Sequence, residues 1–189
     1  AQKVPVVMHP DIAGNWLQNM FAAFSGEQAF KKTSFLTEKL GQKIASELVT
    51  IVDDGVLKSG VSTAPFDGEG VPTQRNVLID KGVLKMFVYN TYWAKKAKAQ
   101  TTGSANRSYQ STPGIGAKNL YIENGTNSFA DILKSIDRGF YMVDQGAFGF
   151  NPVTGSYTYQ AAGFWNEKGE IAFPVDEITC ASTTLDMLA

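Results

Sequence analysis

Two stretches constrain this chain more than any others, because each is a hairpin legible in its residues. In TQRNVLIDKGVLKMFVYN (Thr73–Asn90), Val77 and Ile79 alternate with polar neighbours, Asp80-Lys81-Gly82 supplies a turn, and Val83–Tyr89 runs back. Further on, FYMVDQG leads into NPVTG, then SYTYQAAGFW, the turn Asn166–Gly169 (NEKG) and EIAFPVDEIT. Strands joined by tight turns are antiparallel neighbours. Helical patterns lie apart from these runs. The expected fold is therefore α+β: a twisted, largely antiparallel and partly barrel-like sheet with a few packed helices, in a single domain over residues 1–189.

The remaining elements follow from periodicity and end signals. Val4–Met8 reads as a short buried strand. His9 or Asp11 caps a helix with Pro10 in its first turn, and Ile12, Trp16, Met20 and Ala23 recur at helical spacing until Ser25–Gly26. On that helix Asn15, Gln18 and Asn19 form an amide face. Leu48–Val52 reads as a strand with Asp53-Asp54-Gly55 as its turn, and Gly55–Gly70 as a loop. A helix is expected over Asn90–Ala99, a flexible polar loop over Thr101–Gly116, and a strand at Leu120–Ile122. Ser128 caps a helix to Arg138 whose apolar set is Phe129, Ile132, Leu133 and Ile136, with Gly139 as its stop. Ser182–Leu188 closes the chain as a helix.

Charge and composition exclude several function classes. With 17 basic and 18 acidic residues the net charge is −1, and a nucleic-acid binder would show a basic excess or stripe. Lys95–Gln100 (KKAKAQ) reads as a solvated face. At 189 residues and 43% hydrophobic content, one substantial core is the expectation. The single cysteine, Cys180, permits no internal disulfide and fits a reducing compartment. No apolar run approaches the ~20 residues that span a bilayer. Nor is the apolar part of the first ten residues long enough for a signal peptide. A soluble, cytoplasmic protein is expected.

The chemistry on offer is sparse. One histidine, His9, could pair with Cys180 as base and nucleophile, but no glycine elbow surrounds the cysteine, which reads as a buried inert thiol. Asp53, Asp54, Asp67 and Glu69 form an acidic set in and around FDGEG that could suit a hard cation. They lack the regular ligand ladder of a calcium loop and equally serve turns. There is no GxSxG, phosphate loop or dinucleotide fingerprint. From the residues alone no reaction can be named.

Four stretches in order nevertheless resemble one family. SFLTEKLGQKIASELVTIVDDG, PFDGEGVPTQRNVLIDKGVLK, TTGSANRS and NPVTGSYTYQAAGFWNEKGEIAFPVDEIT are similar to the C-terminal region of the TldD/PmbA proteins, cytosolic peptidases also named for modulation of DNA gyrase. The near-neutral charge lends the gyrase label no support. In the TldD branch a helix carries His-Glu-x-x-x-His, whose histidines hold zinc while the glutamate serves as general base. MHPDIAGNWL resembles the entry to that helix. This register places Gln18 and Ala23 where the histidines would be and Asn19 where the glutamate would be. An amide is a poor zinc ligand, asparagine accepts no proton near neutral pH, and alanine has no donor atom.

The resemblance therefore implies the PmbA branch, also called TldE. This would be a non-catalytic subunit with no metal or cofactor of its own, paired with a TldD-like metallopeptidase subunit that carries the zinc. It would bind unfolded peptide substrates, with Gln18, Asn19 and Ala23 as vacated positions lining a cleft. SGEQAFKKTSFL also resembles that branch, whereas Lys118 in KNLYIE departs from the family's usual Thr-Asn pair. Relatives carry an N-terminal α/β domain and a further C-terminal segment, so a fragment is expected. Its exposed sheet edges could make the isolated chain homodimerise. Two other readings remain open: a scaffold domain without a role in proteolysis, and a cation-dependent hydrolase using the acidic set.

Overall fold

A computed structural model describes residues 2–189 of the chain. Strand β1 (Val6–Met8) enters helix α1 (Pro10–Met20), which continues as a 3-10 turn (Phe21–Phe24) into the short α2 (Gly26–Phe30). The pattern of α1 explains its course: Ile12, Trp16, Leu17 and Met20 are buried on one face, and Pro10 occupies the first turn after the His9 cap. Next come β2 (Ile51–Asp54), β3 (Arg75–Asp80), β4 (Val83–Leu84) and α3 (Thr91–Ala97). The small strands β5 (Ala105–Asn106), β6 (Gly114–Ile115) and β7 (Leu120–Ile122) follow, then α4 (Phe129–Lys134). Three long strands, β8 (Arg138–Asn151), β9 (Ser156–Glu167) and β10 (Glu170–Thr183), lead to the terminal α5 (Thr184–Leu188).

The strands form two four-stranded sheets, ordered β1-β8-β9-β10 and β4-β3-β2-β7, and one small β5-β6 ribbon. All pairings between named strands are antiparallel except β1 with β8. The fold is α+β as expected, and neither large sheet closes into a barrel. Both predicted hairpins form. Lys81-Gly82 and Lys168-Gly169 take positive φ at consecutive positions, the backbone that matches the twist of the flanking strands.

One core joins the two sheets. Ile51, Leu78, Ile79 and Leu84 from one sheet and Phe140, Met142, Tyr157 and Tyr159 from the other belong to the same buried cluster, together with the inner face of α1. Tyr157 stacks on Phe150 with ring centroids 4.5 Å apart and donates its hydroxyl to the Trp16 carbonyl at 3.2 Å. Burial pushes the Tyr157 hydroxyl pKa well above its ordinary value.

Several local expectations are corrected. Asp53 and Asp54 lie within β2 rather than in a turn. Asp53 accepts the Lys118 N–H at 2.7 Å, and Asp54 accepts the Val56 N–H at 2.9 Å, so the reversal starts at Gly55. Val83–Tyr89 pairs with β3 only at Val83–Leu84, and further on Val88 bridges in parallel to Ser25 before the chain turns toward α3. Thr101–Gly116 is not a free loop. Thr102, Ser104 and Ala105 are buried; the Thr102 N–H bonds to the Tyr89 carbonyl, that of Ala105 to Asp67, and that of Gly116 to the Ser104 carbonyl.

The helix begun at Ser128 ends at Lys134, and Gly139 instead pairs with Asn166 inside β8 and β9. Its capping box is present, but of the apolar set only Leu133 is buried, while Phe129 and Ile132 face solvent. Among the described residues no helix is long and apolar enough to cross a membrane.

Candidate functional site

Helix α1 carries Gln18 and Asn19, two of the three positions that the resemblance aligns with a zinc motif. It is fixed at its start by the His9 N–H on the Met142 carbonyl at 2.8 Å, and it packs against β1, β7 and β8. Asn15, Gln18 and Asn19 are exposed, and the Asn19 amide donates back to the Asn15 carbonyl at 2.7 Å. Ala23 lies elsewhere: it is fully buried, and its carbonyl accepts the Ser34 hydroxyl at 2.8 Å. The three positions therefore do not line one cleft. Gln18 and Asn19 meet solvent, whereas Ala23 has turned into the core through the 3-10 segment that follows the helix. This donor set does not fit zinc, because two positions offer neutral amides and the third offers a methyl group in a packed interior.

The acidic set is dispersed into backbone contacts. Asp67 accepts the N–H groups of Glu69 and Val71 on one oxygen, at 2.9 and 3.0 Å, and that of Ala105 on the other at 2.9 Å. Glu69 accepts the Thr91 N–H at 2.8 Å, at the first residue of α3. Asp54 lies 3.8 Å from Arg75. Each carboxylate thus ties two segments together, and no three His, Cys, Asp or Glu side chains among the described residues are grouped to hold a metal ion. Asp53 differs from the others. It is fully buried and one of its oxygens has no hydrogen-bond partner; burial pushes its pKa up to about 6, against the Lys118 N–H bond.

His9 and Cys180 do not meet as nucleophile and base. His9 follows β1 and Cys180 lies on β10, at opposite edges of one sheet, three strand spacings or more than ~14 Å apart. The His9 ring instead lies 3.4 Å from the Asp11 carboxylate, and burial raises the Cys180 thiol pKa.

Sequence reasoning expected exposed sheet edges without assigning them to a strand; in the long sheet one runs along β10. Among the described residues the backbone of Glu170–Ser182 has partners only on β9, apart from the Glu177 N–H, which bonds to the Asp176 carboxylate at 2.8 Å. The first half of β10 is guarded. Pro174 lacks a donor, and Asp176-Glu177 forms a bulge with Glu177 at φ +53°. From Ile178 to Thr183 the register with β9 is unbroken. Only the alternating pattern of EIAFPVDEIT hinted at this strand, and nothing in it distinguished an edge from a centre.

Sequence reasoning missed Asn119. It donates to the Asp54 carbonyl at 2.7 Å and the Thr63 hydroxyl at 3.0 Å, and accepts from the Ser62 N–H at 2.9 Å. Beside it Lys118 contributes its backbone N–H to Asp53, a contact that does not depend on which side chain occupies the position.

Comparison with known proteins places this geometry. A family profile described as the PmbA/TldA metallopeptidase C-terminal domain matches residues 1–189. The chain is 34% identical over 185 residues to the metalloprotease PmbA of Escherichia coli O157:H7, covering 98% of this chain and 39% of that protein. It is 30% identical over 187 residues to the metalloprotease TldD homolog of Buchnera aphidicola, covering 97% and 39%. The crystal structure of TldE from Thermococcus kodakarensis superimposes with a TM-score of 0.89 at 38% identity, over 98% of this chain and 42% of that one. The chain thus spans about two fifths of the length of these relatives. With a profile that matches from end to end and relatives above 30% identity, this chain belongs to the PmbA/TldD metallopeptidase family.

Proposed function

We propose that this domain is part of a non-catalytic, TldE-type subunit that pairs with a TldD-like zinc metallopeptidase subunit in the cytoplasm and holds unfolded peptides for cleavage there. One observation carries the reading: of the three positions that would bear the zinc motif, Gln18 and Asn19 offer amides to solvent and Ala23 is sealed in the core. Among the described residues no donor set supports hydrolysis by this chain alone. The likeness to TldE and PmbA over nearly the whole chain supports the branch.

Peptide capture is assigned to the edge of β10. An extended chain adds to a free sheet edge through main-chain hydrogen bonds, which selects for unfolded substrates more than for sequence. Ile178–Thr183 is the stretch suited to it, since upstream the proline and the charged bulge interrupt the ladder. The same edge is where the isolated chain would homodimerise.

The test is co-purification with a TldD-like protein, followed by peptide cleavage assays of each subunit alone and of both together. Cleavage that needs the TldD-like subunit and rises when this one is added supports the reading. Chelator-sensitive digestion by this chain alone would overturn it.

A further inference from the structure

Helices α2 and α3 pack against each other and build a strip of aromatic rings bracketed by lysines. The Phe30 and Trp93 rings lie 5.8 Å apart across the helix contact, and Tyr92 meets Trp93 edge-on at 5.1 Å. The Lys31 ammonium sits 5.1 Å from the Trp93 ring centre and that of Lys96 5.7 Å from the Tyr92 ring centre. Phe30 and Tyr92 are about half exposed, at 50% and 57%.

The charge around this strip is one-sided. Residues Gly26–Lys32 and Thr91–Lys98 hold five lysines against the single acid Glu27, in a chain whose net charge is −1. Lys31 pairs with Glu27 at 2.6 Å, while Lys32, Lys95, Lys96 and Lys98 form no ion pair among the described residues. All four are exposed. Unpaired positive charge and half-exposed rings thus share one face of the α2–α3 pair, offering both a charged and an apolar contact.

We propose that the α2–α3 strip is a docking surface for an acidic, amphipathic segment of another protein. Carboxylates would meet the unpaired lysines, and large apolar side chains would cover Phe30, Tyr92 and Trp93. Charge complementarity argues for this occupant. Single-stranded nucleic acid fits less well. A nucleic-acid strand needs a basic groove that follows its backbone over several nucleotides, whereas the lysines here are confined to one strip on two short helices of a chain whose net charge is −1.

The experiment measures fluorescence anisotropy of three labelled probes with the full chain. They are a 14-residue peptide of glutamates interleaved with leucine and tryptophan, the same peptide with lysine for each glutamate, and a 15-nucleotide oligothymidine. The acidic peptide is expected to bind best. Its affinity should fall at least tenfold in the Lys32→Glu/Lys96→Glu double variant and on raising salt from about 50 to 500 mM. It should fall severalfold in Tyr92→Ala at constant salt.

These substitutions lie on exposed positions, and circular dichroism would verify that each variant is folded. Equal binding of the lysine peptide, tighter binding of oligothymidine, no binding of the acidic peptide, or folded variants that bind like the parent would each overturn the proposal. None of these readouts depends on the β10 edge.

Discussion

At Asp53 a carboxyl group sits in the middle of a sheet where water cannot reach it, with one oxygen on the Lys118 N–H and the other without a partner. The titratable groups acting on it are Lys118, which favours its charge, and Asp54, which opposes it; burial outweighs both and holds the pKa at about 6 against an ordinary 3.8. A folded-state pKa above the unfolded one means that the native state keeps a proton the unfolded chain has lost. The stabilisation is complete below pH 3.8 and disappears as pH rises through about 6, a change of roughly 3 kcal/mol.

Asp53→Asn retains the acceptor for Lys118 and removes the titration. Urea unfolding of the variant should be flatter between pH 4 and 6 than that of the parent, and the variant should be the more stable of the two at pH 7. An unchanged slope would show that the carboxyl does not titrate in this window. Ala23 gives the second prediction at this scale. Its side chain is fully buried, so installing a His-Glu-x-x-x-His pattern with Gln18→His/Asn19→Glu/Ala23→His should overpack the core at about 1–3 kcal/mol without creating a metal site. The exposed pair alone should be nearly neutral. Zinc at unit stoichiometry in the triple variant would contradict the placement of Ala23.

Among the elements, β10 shows most plainly what a strand can be asked to do. Proline placed in turn at Ile178, Thr179, Cys180, Ala181 and Ser182 should divide into two sets. Where the N–H points toward β9, proline removes a ladder bond and lowers the melting temperature; where it points outward, the fold stays and binding of an unstructured peptide is lost. If outward prolines leave peptide binding intact, the substrate lies elsewhere.

The hairpins were legible because Asp-Lys-Gly and Asn-Glu-Lys-Gly are local chemistry: their lysine and glycine take the positive φ the turn requires. The α4 helix was legible only at its start, where the Ser128 cap and Asp131 form a capping box. Its end was misjudged because Arg138 and Gly139 are claimed by pairing with Glu167 and Asn166, a contact about thirty residues away that local pattern cannot carry. Likewise Thr101–Gly116 looked loose because the groups that order it, Asn76, Asn90 and Asp67, reach it from other segments.

Taken whole, the molecule has two sheets but one interior, and helix α1 lies where they meet. Its residue Trp16 is buried beside Tyr157 of the long sheet, with ring centroids 5.9 Å apart. The cluster containing Trp16 also includes Ile51 and Leu78 of the shorter sheet. Periodicity from Ile12 to Met20 announced a buried helix face, but only the tertiary arrangement shows that the face serves both sheets. The consequence is cooperativity: neither sheet has a core of its own to retain when the other is lost.

Trp16→Ala should therefore cost on the order of 3–5 kcal/mol and lower one common transition. Far-ultraviolet circular dichroism, which follows the strands throughout, and near-ultraviolet signals from the remaining aromatics should move together. Two separated transitions would mean that the sheets fold as independent units. In that case a peptide docking on the β10 edge would have no route, through shared packing, to the amide face of α1.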